Sequence, residues 1–158
     1  FLFSVGLKKY FDKNRVLPQR VVVYRDGVSE GQIQHVYETE LKKIKEAIGS
    51  AVAGTGTGGT SDKLQLTFII VNKRVNTRFF LCGEDPEYRN PTPGTIVDTV
   101  VTRKQRYDFY LVSQSVRQGT VSPTLYNIIE DESSWKAHHH QMLTYKLCHL
   151  YFNWMVSL

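Results

Sequence analysis

The sequence predicts an α/β fold, and three observations lead to that prediction. Residues 21–24 and 64–71 are short, continuous apolar runs rich in β-branched side chains, a pattern typical of strands buried on both faces. Between them, apolar residues recur at helical spacing from Ile33 to Ile48. The order strand, helix, strand favours a right-handed parallel crossover. With 158 residues, the chain is long enough for one domain with a substantial core.

The first three elements have recognisable boundaries. A helix is predicted near the start because apolar residues recur there at roughly helical spacing, and Pro18 marks its end. The strand at residues 21–24 is followed by Asp26-Gly27, which is a turn signal. Ser29 and Gln32 have capping-box spacing, so we expect the second helix to begin there. The apolar stripe of that helix comprises Ile33, Val36, Tyr37, Leu41, Ile44 and Ile48.

The remaining chain has a more mixed pattern. The second helix is predicted to end at Gly49, and the Gly/Thr-rich residues 49–63 are predicted to form a flexible loop inside the domain. Short strands are predicted at TRFFL (77–81), IVDTVVT (96–102), YDFYLVS (107–113) and TLYNIIE (124–130), the middle two as a hairpin with the basic turn 103–106. The apolar stripe of a last predicted helix comprises Leu143, Leu147, Leu150, Tyr151 and Trp154.

Composition limits the possible partners only loosely. The net charge of +5 is compatible with an acidic partner such as nucleic acid, although a basic surface also serves solubility. No stretch is apolar and long enough to span a bilayer, and no signal peptide is recognisable, so no membrane partner is expected. Cys82 and Cys148 lie in no metal-spaced motif, which favours reduced thiols and leaves a single disulfide open. Because the first residue is not methionine, we expect a piece of a longer protein.

Asp26 is the first candidate for chemistry. A carboxylate at the carboxyl end of a strand in an α/β sheet is well placed to bind a hard cation such as Mg²⁺. An Asp-Gly turn is the alternative, and the local pattern alone favours it. One carboxylate cannot hold two metal ions, because a two-metal nuclease needs several ligands.

Two basic loops are candidates for phosphate contacts. Lys73, Arg74 and Arg78 follow the second predicted strand, where cations can line a phosphate-binding surface. Residues 115–124 combine an arginine with several hydroxyls and a glycine that allows close backbone approach. Solvated loops are the alternative interpretation in both cases. His138, His139 and His140 favour a polar helix start over a metal site, because adjacent histidines do not converge on one ion.

Several segments together resemble the PIWI domain of Argonaute proteins. They are YRDGVSEGQ, TFIIVNKRVNTRFF, NPTPGTIVDTVVT, YDFYLVSQSVRQGTVSPTLYNII and LTYKLCHLYFNW, in this order. VSQSVRQGTVSPT and LCHLYFNW resemble the Piwi branch of the family. The resemblance covers residues 18–154, with 49–63 as its least typical part and 155–158 outside it.

The resemblance implies a ribonuclease H-like fold, present here as the incomplete central and later part of a PIWI domain. The family cuts RNA opposite a bound guide with Asp, Glu, Asp and His or Asp around Mg²⁺. Asp26 matches the second Asp, so the resemblance makes it a catalytic metal ligand rather than only a turn former. The other ligands lie outside this chain, and His149 does not match the last one. The isolated chain is therefore expected to be inactive.

The resemblance also implies partners and a setting. Lys73, Arg74, Arg78, Arg117 and Thr120 are expected to contact RNA backbone. The implied partners are a small guide RNA (piRNA) and complementary RNA such as germline transposon transcripts, without a membrane or an oligomer. The implied location is the cytoplasm, in perinuclear germ granules, with the nucleus as the alternative. A non-cleaving RNA-binding module that silences by recruiting partners is the second hypothesis, and another ribonuclease H-like nuclease such as an integrase is the third.

Overall fold

The computed structural model describes residues 2–54, 64–83 and 88–150. A five-stranded sheet has the strand order β1-β2-β5-β4-β3. Its strands are β1 Arg20–Asp26, β2 Gln65–Asn72, β3 Ile96–Val97, β4 Tyr107–Leu111 and β5 Thr124–Asp131. The helices are α1 Leu2–Asn14, α2 Ile33–His35, α3 Lys42–Gly54 and α4 Ala137–Cys148, with a 3₁₀ turn at Glu30–Gln32 and a π-helical segment at Val36–Leu41. None of the helices within these ranges is long and apolar enough to cross a membrane.

The chain forms two compact units. Unit 1 comprises Phe1–Ile69 and Ile129–Ser133, and unit 2 comprises Ile70–Ile128 and Ser134–Leu158. β2 is the most buried strand. Five consecutive side chains in it are at most 2% exposed: Leu66, Thr67, Phe68, Ile69 and Ile70. The predicted strand at residues 64–71 is therefore confirmed. β1 is also a strand, but its interior residues are only half-buried, so the prediction that both its faces are buried was wrong.

The predicted capping box at the start of the second helix is confirmed. The side-chain Oε1 of Gln32 accepts hydrogen bonds from the backbone N–H of Ser29 at 3.1 Å and from its Oγ at 2.9 Å. The helix then continues through α2, the π-helical segment and α3. Ile33, Val36 and Leu41 are buried, whereas Tyr37 of the predicted stripe is exposed.

The second helix is longer than predicted. It passes through Gly49 and ends at Gly54, so the predicted flexible loop is wrong for residues 49–54. Alanines at positions 51 and 53 favour a helix, and the Ser50 hydroxyl donates to the Glu46 carbonyl at 2.9 Å. One interior glycine costs a helix about 1 kcal/mol, which does not end this one. The rest of the predicted loop, residues 55–63, lies outside the described residues.

A polar network in unit 1 joins α3 and β2 to the end of β5. Lys45 Nζ lies 2.8 Å from a Glu130 carboxylate oxygen and 3.4 Å from one of Glu132. These carboxylates raise the pKa of Lys45, chiefly through the hydrogen bond from its ammonium to Glu130. Thr67 Oγ1 donates to Asp131 Oδ1 at 2.8 Å, and the Glu132 N–H donates to the Leu66 carbonyl at 2.9 Å. The network therefore fixes where β5 ends.

Unit 2 contains two antiparallel strand pairs. β3 pairs with β4 through Ile96–Leu111 and Val97–Tyr110, so the predicted hairpin is confirmed. β3 is shorter than the predicted strand because the chain turns at Asp98, whose carbonyl accepts a hydrogen bond from Thr102 Oγ1 at 2.8 Å. The strand predicted at residues 124–130 is confirmed as β5, which pairs with β4 over five residues. The predicted strand at residues 77–81 is wrong, because only Leu81 makes a bridge, to Arg89.

The buried face of α4 is polar. His140, Gln141 and Thr144 are buried, whereas Leu147 and Leu150 of the predicted apolar stripe are exposed. Gln141 Nε2 donates to Asp98 Oδ2 at 2.8 Å, which explains how a polar side chain is accommodated there. The helix start predicted at residues 138–140 is confirmed, since α4 begins at Ala137, although His140 is buried against the ring of Trp135, with centroids 5.3 Å apart. Tyr151 and Trp154 lie outside the described residues.

We predict that Gly94→Ala loosens unit 2 locally. Gly94 has a φ of +90°, and an added Cβ would lie 3.1 Å from Cζ of Tyr145. Strain and crowding together are expected to cost about 1–3 kcal/mol. The amides of Gly94 and Val112, which donate to Val112 and Thr95 carbonyls, should exchange hydrogen faster in a full-length protein that contains this chain.

Gly49→Ala is the matched control for that prediction. Gly49 is helical, has no atom within 4 Å of an added Cβ and has no positive φ. Alanine there should slow exchange in α3 or leave it unchanged, because alanine favours a helix by up to about 1 kcal/mol. Equal exchange rates at Gly94 in wild type and Gly94→Ala would contradict the predicted clash.

Candidate functional site

Asp26 is the last residue of β1, and its side chain is exposed. Its Oδ1 accepts a hydrogen bond from the Gly27 N–H at 2.8 Å, and Gly27 has a φ of +77°. The two interpretations of this position are therefore compatible. Asp26 stabilises the turn after β1, and the same turn presents its carboxylate to solvent at the end of a strand.

An ion pair holds the backbone beside Asp26. Arg25 Nε lies 2.8 Å from Glu40 Oε2, and Arg25 Nη2 lies 3.0 Å from Glu40 Oε1, so the two groups form a bidentate pair. The third guanidinium nitrogen of Arg25, Nη1, donates a hydrogen bond to the carbonyl oxygen of Asp26. The guanidinium thus connects the π-helical segment that carries Glu40 to the residue that carries the candidate carboxylate.

The charges of this pair shift both pKa values. The hydrogen bond from Arg25 lowers the pKa of Glu40, and partial burial opposes the shift more weakly. The hydrogen bond to Glu40 raises the pKa of Arg25, with a smaller contribution from the Asp26 carboxylate. Both groups therefore stay charged across the neutral range. This pair was not predicted from the sequence, although an arginine directly before Asp26 and a glutamate on the next helix were a usable signal.

The described residues do not by themselves fit a magnesium site. Within residues 2–54, 64–83 and 88–150, no three His, Cys, Asp or Glu side chains lie close enough together to hold a metal ion. Asp26 can supply one oxygen ligand of the kind Mg²⁺ prefers. The adjacent histidines 138–140 form no such group either.

The first basic loop follows β2. Lys73 and Arg74 are exposed. The loop is anchored on β4, because Thr77 Oγ1 lies 3.4 Å from the Tyr110 hydroxyl and Phe79 packs edge-on against the Tyr110 ring. Arg78 Nη1 donates to the carbonyls of Val75 and Thr77 at 2.7 and 2.8 Å, so this side chain shapes its own loop.

The second candidate loop follows β4. Arg117 and Thr120 are exposed, and Gly119 between them has a φ of +82°. The next residue, Val121, is buried and fixes the loop to the core of unit 2. All five predicted RNA-contact residues lie in unit 2, and each loop has its own anchor. Asp26 belongs to unit 1.

The remaining sequence candidates have simpler roles. His149 is exposed and lies edge-on to the Tyr145 ring, with centroids 4.7 Å apart. Burial raises the pKa of the Cys148 thiol, whose Sγ donates to the Thr144 carbonyl at 3.3 Å. Cys82 is exposed, and both cysteines are free thiols, which answers the open question of a disulfide.

Comparison with known proteins identifies the relatives of this chain. The family model of the Piwi domain matches residues 3–158. The chain is 48% identical over 154 residues to the Piwi-like protein Siwi of Bombyx mori, an alignment that covers 97% of this chain and 16% of Siwi. It therefore spans about a sixth of the length of this relative.

Solved structures give the same result at the level of the fold. The crystal structure of Drosophila Piwi matches with a TM-score of 0.85 and 45% identity, over 99% of this chain and 20% of that one. The Kluyveromyces polysporus Argonaute with a guide RNA matches with a TM-score of 0.79 and 30% identity, over 94% of this chain and 19% of that one. The predicted α/β, ribonuclease H-like class is confirmed by these neighbours.

We predict that the Arg25–Glu40 pair makes stability depend on pH in the acid range. Because folding lowers the pKa of Glu40, the pair contributes fully above about 4.5, the usual value for glutamate. Its contribution is lost as the pH falls through the lowered pKa. Glu40→Gln should therefore destabilise the protein at pH 7, by up to about 1 kcal/mol for a pair this exposed, and the difference should shrink below pH 4.5.

Thermal unfolding of a full-length protein containing this chain, followed against pH, measures that difference. Glu46→Gln is the control, because Glu46 is an exposed glutamate on α3. A constant gap between wild type and Glu40→Gln from pH 7 to pH 3 would contradict the assignment.

Proposed function

The chain belongs to the Piwi domain family, and from this premise we propose that it supplies part of the RNA-binding and RNA-cutting domain of a Piwi-type Argonaute. The resemblance predicted from the sequence is confirmed at the level of family and branch, since the relatives include Siwi and Protein piwi of Drosophila melanogaster at 48% and 47% identity. In the proposed function, a small guide RNA directs silencing of complementary RNA such as transposon transcripts.

One observation carries the cleavage part of this proposal. The exposed carboxylate of Asp26 stands at the end of β1, and the Arg25–Glu40 pair braces its backbone. A carboxylate on a braced strand end can hold a hard divalent cation in a reproducible position. We propose that Asp26 is one of several Mg²⁺ ligands and that the others come from residues outside this chain.

The RNA-binding part of the proposal rests on charge and exposure. Lys73, Arg74 and Arg117 are exposed cations on loops that follow strands, and Thr120 adds a hydroxyl donor. Arginine can grip a phosphate with two donors, and lysine acts as a point charge. Arg78 supports the first loop through its carbonyl contacts and contributes its positive charge. The matched Kluyveromyces polysporus structure contains a guide RNA, which supports RNA as the ligand class.

The site of action is also part of the proposal. We place the full-length protein in the cytoplasm, in perinuclear germ granules, with the nucleus as the alternative, and this placement rests on the family alone. A silencing protein that binds RNA without cutting it is the competing function. The two functions differ in whether Asp26 is required.

We predict that Asp26→Ala in a full-length protein abolishes guided cleavage but largely preserves guide binding. A carboxylate repels RNA phosphates unless a cation intervenes, so its removal should not weaken backbone contacts. Cleavage of a labelled complementary RNA and the Kd for the guide measure the two effects. Asp12→Ala, which removes an exposed carboxylate from α1, is the control and should cut normally. Normal cutting by Asp26→Ala would favour the non-cleaving function.

We predict that Arg74→Ala and Arg117→Ala weaken RNA binding about equally for all sequences. Each variant removes one phosphate contact, so the slope of log affinity against log salt should become shallower by roughly 0.7–0.9. Binding of RNAs with different sequences over a range of salt concentrations tests this. Lys43→Ala, which removes an exposed cation from α3, is the control. A change in base preference with an unchanged slope would show that these arginines read bases instead.

A further inference from the structure

A side chain from a distant segment of unit 2 clamps the loop that carries Arg117. Asn90 Nδ2 donates a hydrogen bond to the Gly119 carbonyl at 2.8 Å. Asn90 Oδ1 accepts one from the Val121 N–H at 3.1 Å. The single carboxamide thus bonds the backbone on both sides of Thr120.

Buried residues hold both ends of this contact in place. Asn90 is followed by Pro91, which is buried and restricts the backbone of the residue before it to extended conformations. On the other side, Val121 is only 1% exposed and cannot move without opening the core of unit 2. The exposed residues from Arg117 to Thr120 therefore project from two fixed points.

The chemistry of the clamp requires an amide. The Gly119 carbonyl needs a donor and the Val121 N–H needs an acceptor, and a carboxamide offers both on one planar group. A carboxylate could only accept, and an ammonium could only donate. The left-handed conformation of Gly119, with a φ of +82°, turns its carbonyl toward this group.

We propose that Asn90 is a positioning residue for the RNA-backbone contacts of Arg117 and Thr120. The inference rests on the proposed function, because it assumes that this loop binds RNA. A loop whose backbone is fixed before binding loses less conformational freedom when its side chains engage a phosphate. Asn90 therefore strengthens RNA binding without touching RNA.

The test uses a full-length protein that contains this chain and a single-stranded guide RNA as the probe. The loop variant combines Arg117→Ala with Thr120→Ala and is compared with Asn90→Ala and with the triple variant. We expect Asn90→Ala to weaken binding about three- to tenfold, the scale of one net hydrogen bond, and to make the salt slope shallower. The triple variant should bind within about twofold of the loop variant, because Asn90 acts through that loop.

The outcomes separate this inference from the function on which it rests. If the loop variant binds RNA like wild type, the proposed RNA contact fails and the inference falls with it. If the loop variant is weak but Asn90→Ala binds normally, the RNA contact stands and the positioning role is wrong. If the two losses multiply in the triple variant, Asn90 acts elsewhere, and the positioning role is again wrong.

A second variant covers the case in which Asn90→Ala does not fold. Gly119→Ala meets no atom within 4 Å, so it disturbs the loop only by straining the positive φ. It should weaken RNA binding to a similar extent, and wild-type binding would overturn the inference. Asn14→Ala is the matched control, because it removes a side-chain hydrogen bond to the Tyr10 carbonyl on α1 and should leave RNA affinity unchanged.

Discussion

The burial of β2 is the constraint on which the rest of the structure depends. Phe68, Ile69 and Ile70 are fully buried, and each such side chain contributes about 1.5–3 kcal/mol relative to an exposed one. Polar groups cannot enter this core without partners. The candidate functional residues Asp26, Lys73 and Arg117 accordingly lie at a strand end and on loops. The candidate chemistry lies where the apolar pattern stops.

The sequence predicts the elements whose stability is local. The run at residues 64–71 and the Ser29–Gln32 capping box carry their own signals, and both are confirmed. The buried face of α4 could not be predicted in this way. His140, Gln141 and Thr144 are buried because unit 2 supplies distant partners such as Asp98, whereas leucines at helical spacing suggested another face. The end of α3 was misjudged for the opposite reason, because a glycine was taken as a stop where alanines continue the helix.

The candidate site was likewise predictable from the sequence only in part. Asp26 could be placed at a strand end from the sequence, and the family resemblance supplied its role. The Arg25–Glu40 pair and the Asn90 clamp join residues 15 and about 30 positions apart, so no local period reports them. Each includes a hydrogen bond between a side chain and the backbone that carries a candidate functional group, from Arg25 to the Asp26 carbonyl and between Asn90 and the backbone beside Thr120.

The π-helical segment Val36–Leu41 has a consequence for how this helix can change during evolution. A π turn contains one more residue than an α turn, so it shifts the helical phase of everything that follows. With this phase, Glu40 reaches Arg25 and Lys45 reaches Glu130. Deleting one residue from this segment would restore α-helical winding and keep α3 nearly in phase with α2, because the π turn accommodates one extra residue. A one-residue deletion is thus more tolerable in this segment than within α3, where it would rotate the residues that follow by about 100°.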